Sequence, residues 1–254
     1  MLEAFGKHAE HKLQKVTGTA RINKLIQEEE WDLVIQQAKS HPGEVRSWSC
    51  RPGFFEGVKD SDVLPIHEAV SMGAPVNVVK ALVEAFPQGL TERESAYRRL
   101  PIHIACRHGG DKMDKEVVKY LIGAYPLGVA TDDILGRVPL HYTCSNGAEE
   151  EIVDMLMTSC AGATRAYDRR GWLPIHVACS VGASYHVVKV MLDAFPASVA
   201  LTTNKGSTPR RCCDMTRNSR DYDRICEMLE RARDEWDADQ PVPAKRPSSV
   251  RLLV

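Results

Sequence analysis

No apolar run in these 254 residues approaches the ~18 that a membrane-crossing helix needs. The opening Met1-Leu2-Glu3-Ala4-Phe5-Gly6-Lys7 lacks the apolar stretch of a secretory signal. An intracellular, cytoplasmic location is therefore expected. An excess of one charge is missing as well: 33 Lys and Arg stand against 34 Asp and Glu, a net −1. Without a global field, neither nucleic acid nor an anionic membrane is an expected partner. The chain has no Gly-rich phosphate loop, no nucleophile elbow and no paired-carboxylate motif, and nothing distinct to orient a catalytic base. No enzymatic activity and no cofactor are expected. Eight cysteines are present, but most lie inside amphipathic helical strings, which fits a reducing compartment better than a disulfide framework. The 43% of hydrophobic residues is enough for a continuous core.

What is present is a repeat. Leu173-Pro174-Ile175-His176-Val177-Ala178-Cys179 recurs as Leu100-Pro101-Ile102-His103-Ile104-Ala105-Cys106, as Val138-Pro139-Leu140-His141-Tyr142-Thr143-Cys144 and, without the cysteine, as Leu64-Pro65-Ile66-His67-Glu68-Ala69-Val70. A worn fifth copy is Thr208-Pro209-Arg210-Arg211-Cys212-Cys213. The prolines at 65, 101, 139, 174 and 209 are spaced within the about 20 to 50 residues typical of stacked repeats. A second string keeps the same beat: Val78-Val79-Lys80, Val117-Val118-Lys119, Ile152-Val153-Asp154 and Val187-Val188-Lys189. Only the second unit lengthens this spacing, around Asp111-Lys112-Met113, so variation is confined to loops, as expected for units stacked side by side.

Each unit reads as a helix pair. Proline suits the first helical position, where its missing N–H is not needed. A short helix then runs to Gly73, Gly109, Gly147 or Gly182, each suited to a left-handed cap. The second helix places apolar residues at helical spacing, for example Val188, Met191, Leu192 and Phe195. Phe86-Pro87, Tyr125-Pro126 and Phe195-Pro196 stop it. Asp133 to Gly136 and Asp168 to Gly171 form the turns that lead back to the next proline.

Helix, tight turn, helix, hairpin-like loop and a Pro-Ile-His restart resemble the ankyrin repeat over roughly residues 21–236. The Leu-Pro-Ile-His-x-Ala-Cys form is similar to the expanded ankyrin-repeat sets of diatom-type algae. The resemblance implies an all-α solenoid of stacked helix-turn-helix units with hairpin fingers, monomeric, and a concave face that binds another protein. It implies a non-catalytic scaffold or adaptor. It also implies that each His ties neighbouring finger backbone and that the Cys position is a small buried one.

In chain order, residues 1–20 read as a flexible segment, and 21–63 as a degenerate capping pair with the apolar stripe Ile22, Leu25, Ile26, Trp31, Val34, Ile35 and Ala38. The four clear repeats occupy 64–201, a degenerate last repeat 202–236, and a Pro- and Ser-containing disordered tail 237–254. The stretch 44–63 is too long for a plain hairpin. Its aromatics, Trp48, Phe54 and Phe55, are expected to pack over the open end of the stack. Against the family pattern, the Thr before the proline is replaced by Leu64, Leu100, Val138 and Leu173, a loss of a cap costing about 1 kcal/mol each. The turn glycine is replaced by Asp62 and Arg98 in the first two fingers.

His103-x-x-Cys106, His141-x-x-Cys144 and His176-x-x-Cys179 put both side chains on one helix face. A metal- or redox-responsive protein is thus the alternative reading. The repeat itself accounts for the spacing, and pairs held ~10 Å apart cannot share one ion. No metal site is therefore assigned.

The binding surface is drawn from the resemblance, which directs the residue after His and the residue two before Pro into the groove. The first stripe holds Glu68, Ile104, Tyr142 and Val177, the second Val63, Arg99, Arg137, Trp172 and Ser207, and the fingertips Tyr97, Ile134, Leu135, Arg169 and Arg170. Trp, Tyr and Arg dominate binding energies. The fingers become more basic toward the C-terminus, net +2 over 165–172 and +3 over 202–211, which suits an acidic partner.

Overall fold

The structure, a computed structural model, describes residues 20–55, 57–107, 114–147 and 149–239. The lengthened loop at 111–113, the glycine at 109, nearly all of the N-terminal segment and most of the tail lie outside the described residues. Helices come in antiparallel pairs. Inner helices are α1 (Arg21–Gln27), α4 (Pro65–Ser71), α6 (Pro101–Arg107), α8 (Pro139–Ser145), α10 (Pro174–Val181) and α12 (Pro209–Cys213). Outer helices are α2 (Trp31–Ser40), α5 (Val76–Ala85), α7 (Lys115–Ala124), α9 (Glu150–Ser159), α11 (Tyr185–Ala194) and α13 (Tyr222–Asp239). Between the first two pairs lie the single turn α3 (Pro42–Val45) and an antiparallel two-stranded hairpin, β1 (Ser49–Phe55) and β2 (Lys59–Val63). This hairpin is the only sheet among the described residues.

Helices of seven to ten residues are marginal on their own. They hold because every inner helix packs on the next from α1 to α12, and every outer helix on the next from α2 to α13. The apolar core runs unbroken through them. Val78, Val79 and Leu82 in one outer helix are matched by Val117, Val118 and Leu121, by Ile152, Val153 and Leu156, and by Val187, Val188 and Met191, all buried. Cys106, Cys144 and Cys179 are buried free thiols beside them, each acting as a small hydrophobe. Burial pushes the Cys106 thiol up to about 12. Gly73, Gly147 and Gly182 end their inner helices with φ of 77°, 100° and 71°, which an L side chain rarely adopts.

The prolines start the inner helices as the sequence suggests, and Leu64, Val138 and Leu173 supply no side-chain cap. Half of the capping arrangement survives by another route. The N–H of Leu64 donates to Nδ1 of His67 at 3.1 Å, and the same bond recurs from Leu100 to His103, Val138 to His141 and Leu173 to His176. With Nδ1 accepting, Nε2 carries the proton and donates to the carbonyl of Glu92, Thr131, Trp172 or Leu201 in the following finger, at 2.9 to 3.1 Å. Each imidazole is thus a neutral clamp between a helix start and the next finger.

A proton on Nδ1 would face a backbone N–H, and the rings are buried, so the charged form is disfavoured. Burial pushes His67 and His103 from 6.5 down to about 4, against the weaker upward pull of their carbonyl bonds, and lowers His141 and His176 as well. The unfolded chain takes up these protons near pH 6.5, the folded chain only near 4. This contribution to stability is therefore complete above about pH 6.5 and falls away as the pH drops toward 4. The midpoint of urea unfolding is expected to fall steadily between pH 7 and pH 5. The ring protons of His67 and His103 should keep neutral NMR shifts in that interval, and their titration near pH 6.5 would contradict the clamp.

Candidate partner-binding face

The fingers are shaped by buried carboxylates. Oδ1 of Asp133 accepts from the N–H of Leu135 and Arg137, and Oδ1 of Asp168 from those of Arg170 and Trp172, so each acidic side chain closes its own turn. Glu94 does the same for the longer finger before α6, accepting from Ala96, Tyr97 and Arg99. Neighbouring fingers are joined by backbone bonds: Ser95 N–H to Asp62 O, Ile134 N–H to Tyr97 O, Arg169 N–H to Leu135 O, and Asn204 N–H to Arg170 O. Gly136, Gly171 and Gly206 turn with φ near 75°, and Arg98 takes the same left-handed conformation at 57°.

The second oxygen of each Asp reaches back to the preceding finger. Arg99 Nε lies 3.2 Å from Asp133 Oδ2, and Arg137 Nε 3.3 Å from Asp168 Oδ2. Tyr142, on α8, completes the first link: its hydroxyl donates to Asp133 Oδ2 and accepts from Arg99 Nη2 at 2.8 Å. Burial raises its pKa, with Arg99 opposing. The ladder stops one unit later, where Trp172 and Thr203 stand in place of the Arg and Asp.

This geometry divides the expected binding residues. Arg99, Ile104, Tyr142 and Val177 are buried, at 3%, 1%, 2% and 6% exposure, and none is free surface. The expectation that Ile104, Tyr142 and Val177 form an apolar floor open to a partner is corrected here. Tyr142 lies under the guanidinium groups of Arg99 and Arg137, 4.7 and 5.7 Å from its ring, and its hydroxyl is fully used. Sequence spacing could place Tyr142 on the groove side but not show that a neighbouring Arg closes over it. Leu135, Arg137 and Trp172 are half-buried, and Trp172 meets the ring of His176 edge-on at 6.2 Å. Ile134, Arg169 and Arg170 are exposed. Exposed Lys205 and Arg211 continue the basic stretch, and among the described residues none of Arg169, Arg170, Lys205 or Arg211 makes an ion pair.

The surface is also altered at the other end. The hairpin β1–β2 does not cover the open end of the stack. It folds back onto the inner helices: Arg51 pairs with Glu68 of α4 at 2.9 Å, and the Phe55 ring sits 4.9 Å from Tyr97, beneath Arg99 and Arg107 at 4.7 and 5.6 Å. Both nitrogens of the four repeated histidines are engaged, so none offers a lone pair to a metal. No group of three or more potential ligands is placed to hold an ion among the described residues. No described helix is long and apolar enough to cross a membrane.

Stacked helix pairs, left-handed glycine caps, finger turns and a His clamp at four successive restarts define a helical repeat solenoid. Residues 102–203 match the family model for ankyrin repeats (3 copies), and that stretch carries ankyrin repeats. No curated protein matches the chain. Ankyrin repeats are generally protein-protein interaction modules, and the proteins built from them are typically non-catalytic.

Two substitutions test the finger chemistry. Tyr142→Ala removes a buried ring and leaves Arg99 and Asp133 short of a partner, so it is expected to destabilise by about 3–5 kcal/mol, whereas half-buried Trp172→Ala should cost about 1 kcal/mol. Equal losses in urea unfolding would refute the burial of Tyr142. Arg98→Gly relieves the left-handed turn and is expected to raise stability by up to about 1 kcal/mol, read as a higher melting temperature.

Proposed function

We propose that the chain is a non-catalytic scaffold or adaptor that takes an acidic segment of another protein on its C-terminal fingers. The carrying observation is the set of exposed cations that make no ion pair among the described residues, Arg169, Arg170, Lys205 and Arg211, around half-buried Trp172 and exposed Ile134. A rigid aromatic beside basic residues matches the residue types that concentrate binding energy. Desolvating Trp172 and Leu135 against a partner supplies affinity, and the surrounding charges supply encounter rate and register. Earlier in the stack Arg99 and Arg137 are neutralised by Asp133 and Asp168, so the C-terminal fingers, net +2 over 165–172 and +3 over 202–211, are the side suited to an acidic partner.

The test is quantitative capture from source extract on the immobilised chain, with identification of what is retained. Trp172→Ala combined with Arg169→Glu and Arg170→Glu is expected to abolish capture of proteins held by the parent chain while leaving its melting temperature within a few degrees. The charge substitutions alone should weaken association mainly at low salt, since exposed charges are screened within about 10 Å at 0.1 M. A captured set unchanged by all three substitutions would place the site elsewhere.

A further inference from the structure

The hairpin β1–β2 does to this chain what a ligand would do. Its first strand puts a basic and an aromatic side chain, four residues apart, onto inner-helix and finger residues of two successive units: Arg51 on Glu68, and Phe55 among Tyr97, Arg99 and Arg107. Ser49 is held by Asn23 of α1, which also donates to Glu68. The hairpin is not built like a rigid ladder. Its pairing register breaks between Arg51 and Phe55, Gly53 has φ 63° and Gly57 φ 73°, and Val58 at the tip is 86% exposed.

The receiving site is incompletely satisfied. Arg99 is 3% exposed, yet its Nη1 has no hydrogen-bond partner among the described residues, and its guanidinium carbon lies 4.7 Å from the Phe55 ring and 4.3 Å from that of Tyr97. A buried guanidinium N–H without an acceptor leaves a hydrogen bond that another occupant can supply. An occupant is favoured over the hairpin only through such a difference in interaction.

The geometry points to the Glu68–Arg99–Arg107 stretch of the inner face as a second docking site, for an extended segment of a partner that presents a basic residue, an aromatic four residues later and a carbonyl or carboxylate acceptor for Arg99. Strand β1 fills it in cis until that segment displaces it, while β2 stays bonded to the second finger through Ser95 and Asp62. The site is separate from the basic fingers of the proposed function and does not rest on that reading.

Fluorescence anisotropy with a labelled peptide of residues 47–63 tests it on the full chain. The variant Arg51→Ala with Phe55→Ala, whose own hairpin cannot fill the site, is expected to bind the peptide about tenfold or more tighter than the parent, whose apparent dissociation constant is the intrinsic one divided by its open fraction. The same peptide with its phenylalanines replaced by alanine should not bind. Adding Trp172→Ala and Arg169→Glu should leave peptide affinity unchanged, so a failure here and a failure of the C-terminal face are separable. Hydrogen exchange on the parent chain decides independently of whether the variant folds: amides of Ser49–Phe55 are expected to exchange faster than those of α6 and α8. Equal peptide affinities for parent and variant, or β1 amides as protected as those helices, would make the hairpin a fixed part of the stack and overturn the proposal. A concentration-dependent dimer of the parent chain would give the site to a second copy instead.

Discussion

A neutral imidazole carries the architecture. His67, His103, His141 and His176 each accept from the backbone N–H three residues earlier and donate to a carbonyl in the next finger. One ring therefore both caps a helix that has lost its hydroxyl cap and sets the distance between units. Because both nitrogens are committed, the ring cannot also take a proton or a metal without breaking a bond in the stack. The repeated His-x-x-Cys spacing follows from this packing, with the thiol serving as a small buried neighbour.

The fingers follow a related economy of charge. A buried carboxylate is tolerable here because one oxygen receives two backbone N–H groups and the other an arginine. Such a site depends on every member being present, since removing one partner of a buried pair leaves the other uncompensated. The pattern lapses at Trp172 and Thr203, and among the described residues Arg169, Arg170, Lys205 and Arg211 of these last fingers make no ion pair.

At the other end the chain covers its own inner face. Residues 49–63 bury Glu68 and, with Tyr142 and Tyr97, enclose Arg99 in aromatic rings. The two ends of the groove thus differ in state as well as composition: one is basic and open, the other aromatic and occupied.

The repeat, its period, the inner and outer helices, the left-handed caps and the burial of the cysteines were legible in the sequence. They depend on local rules, proline at a helix start, glycine at φ > 0 and apolar spacing, repeated often enough to reinforce one another. The helix pair of residues 21–40 was legible from its apolar spacing alone, since it has no proline start and turns through Glu29 at φ 55° rather than a glycine. Exposure in the groove was not, because it depends on contacts between residues some 30 to 50 positions apart. Tyr142 reads as a recognition residue until Arg99 and Asp133 close on it, and Arg98 reads as a missing glycine until the turn is seen to form without one. The hairpin at 49–63 has no counterpart elsewhere in the chain, so no repetition announces where it lies. Local chemistry determined the units; only the tertiary packing decided which of their faces remain open.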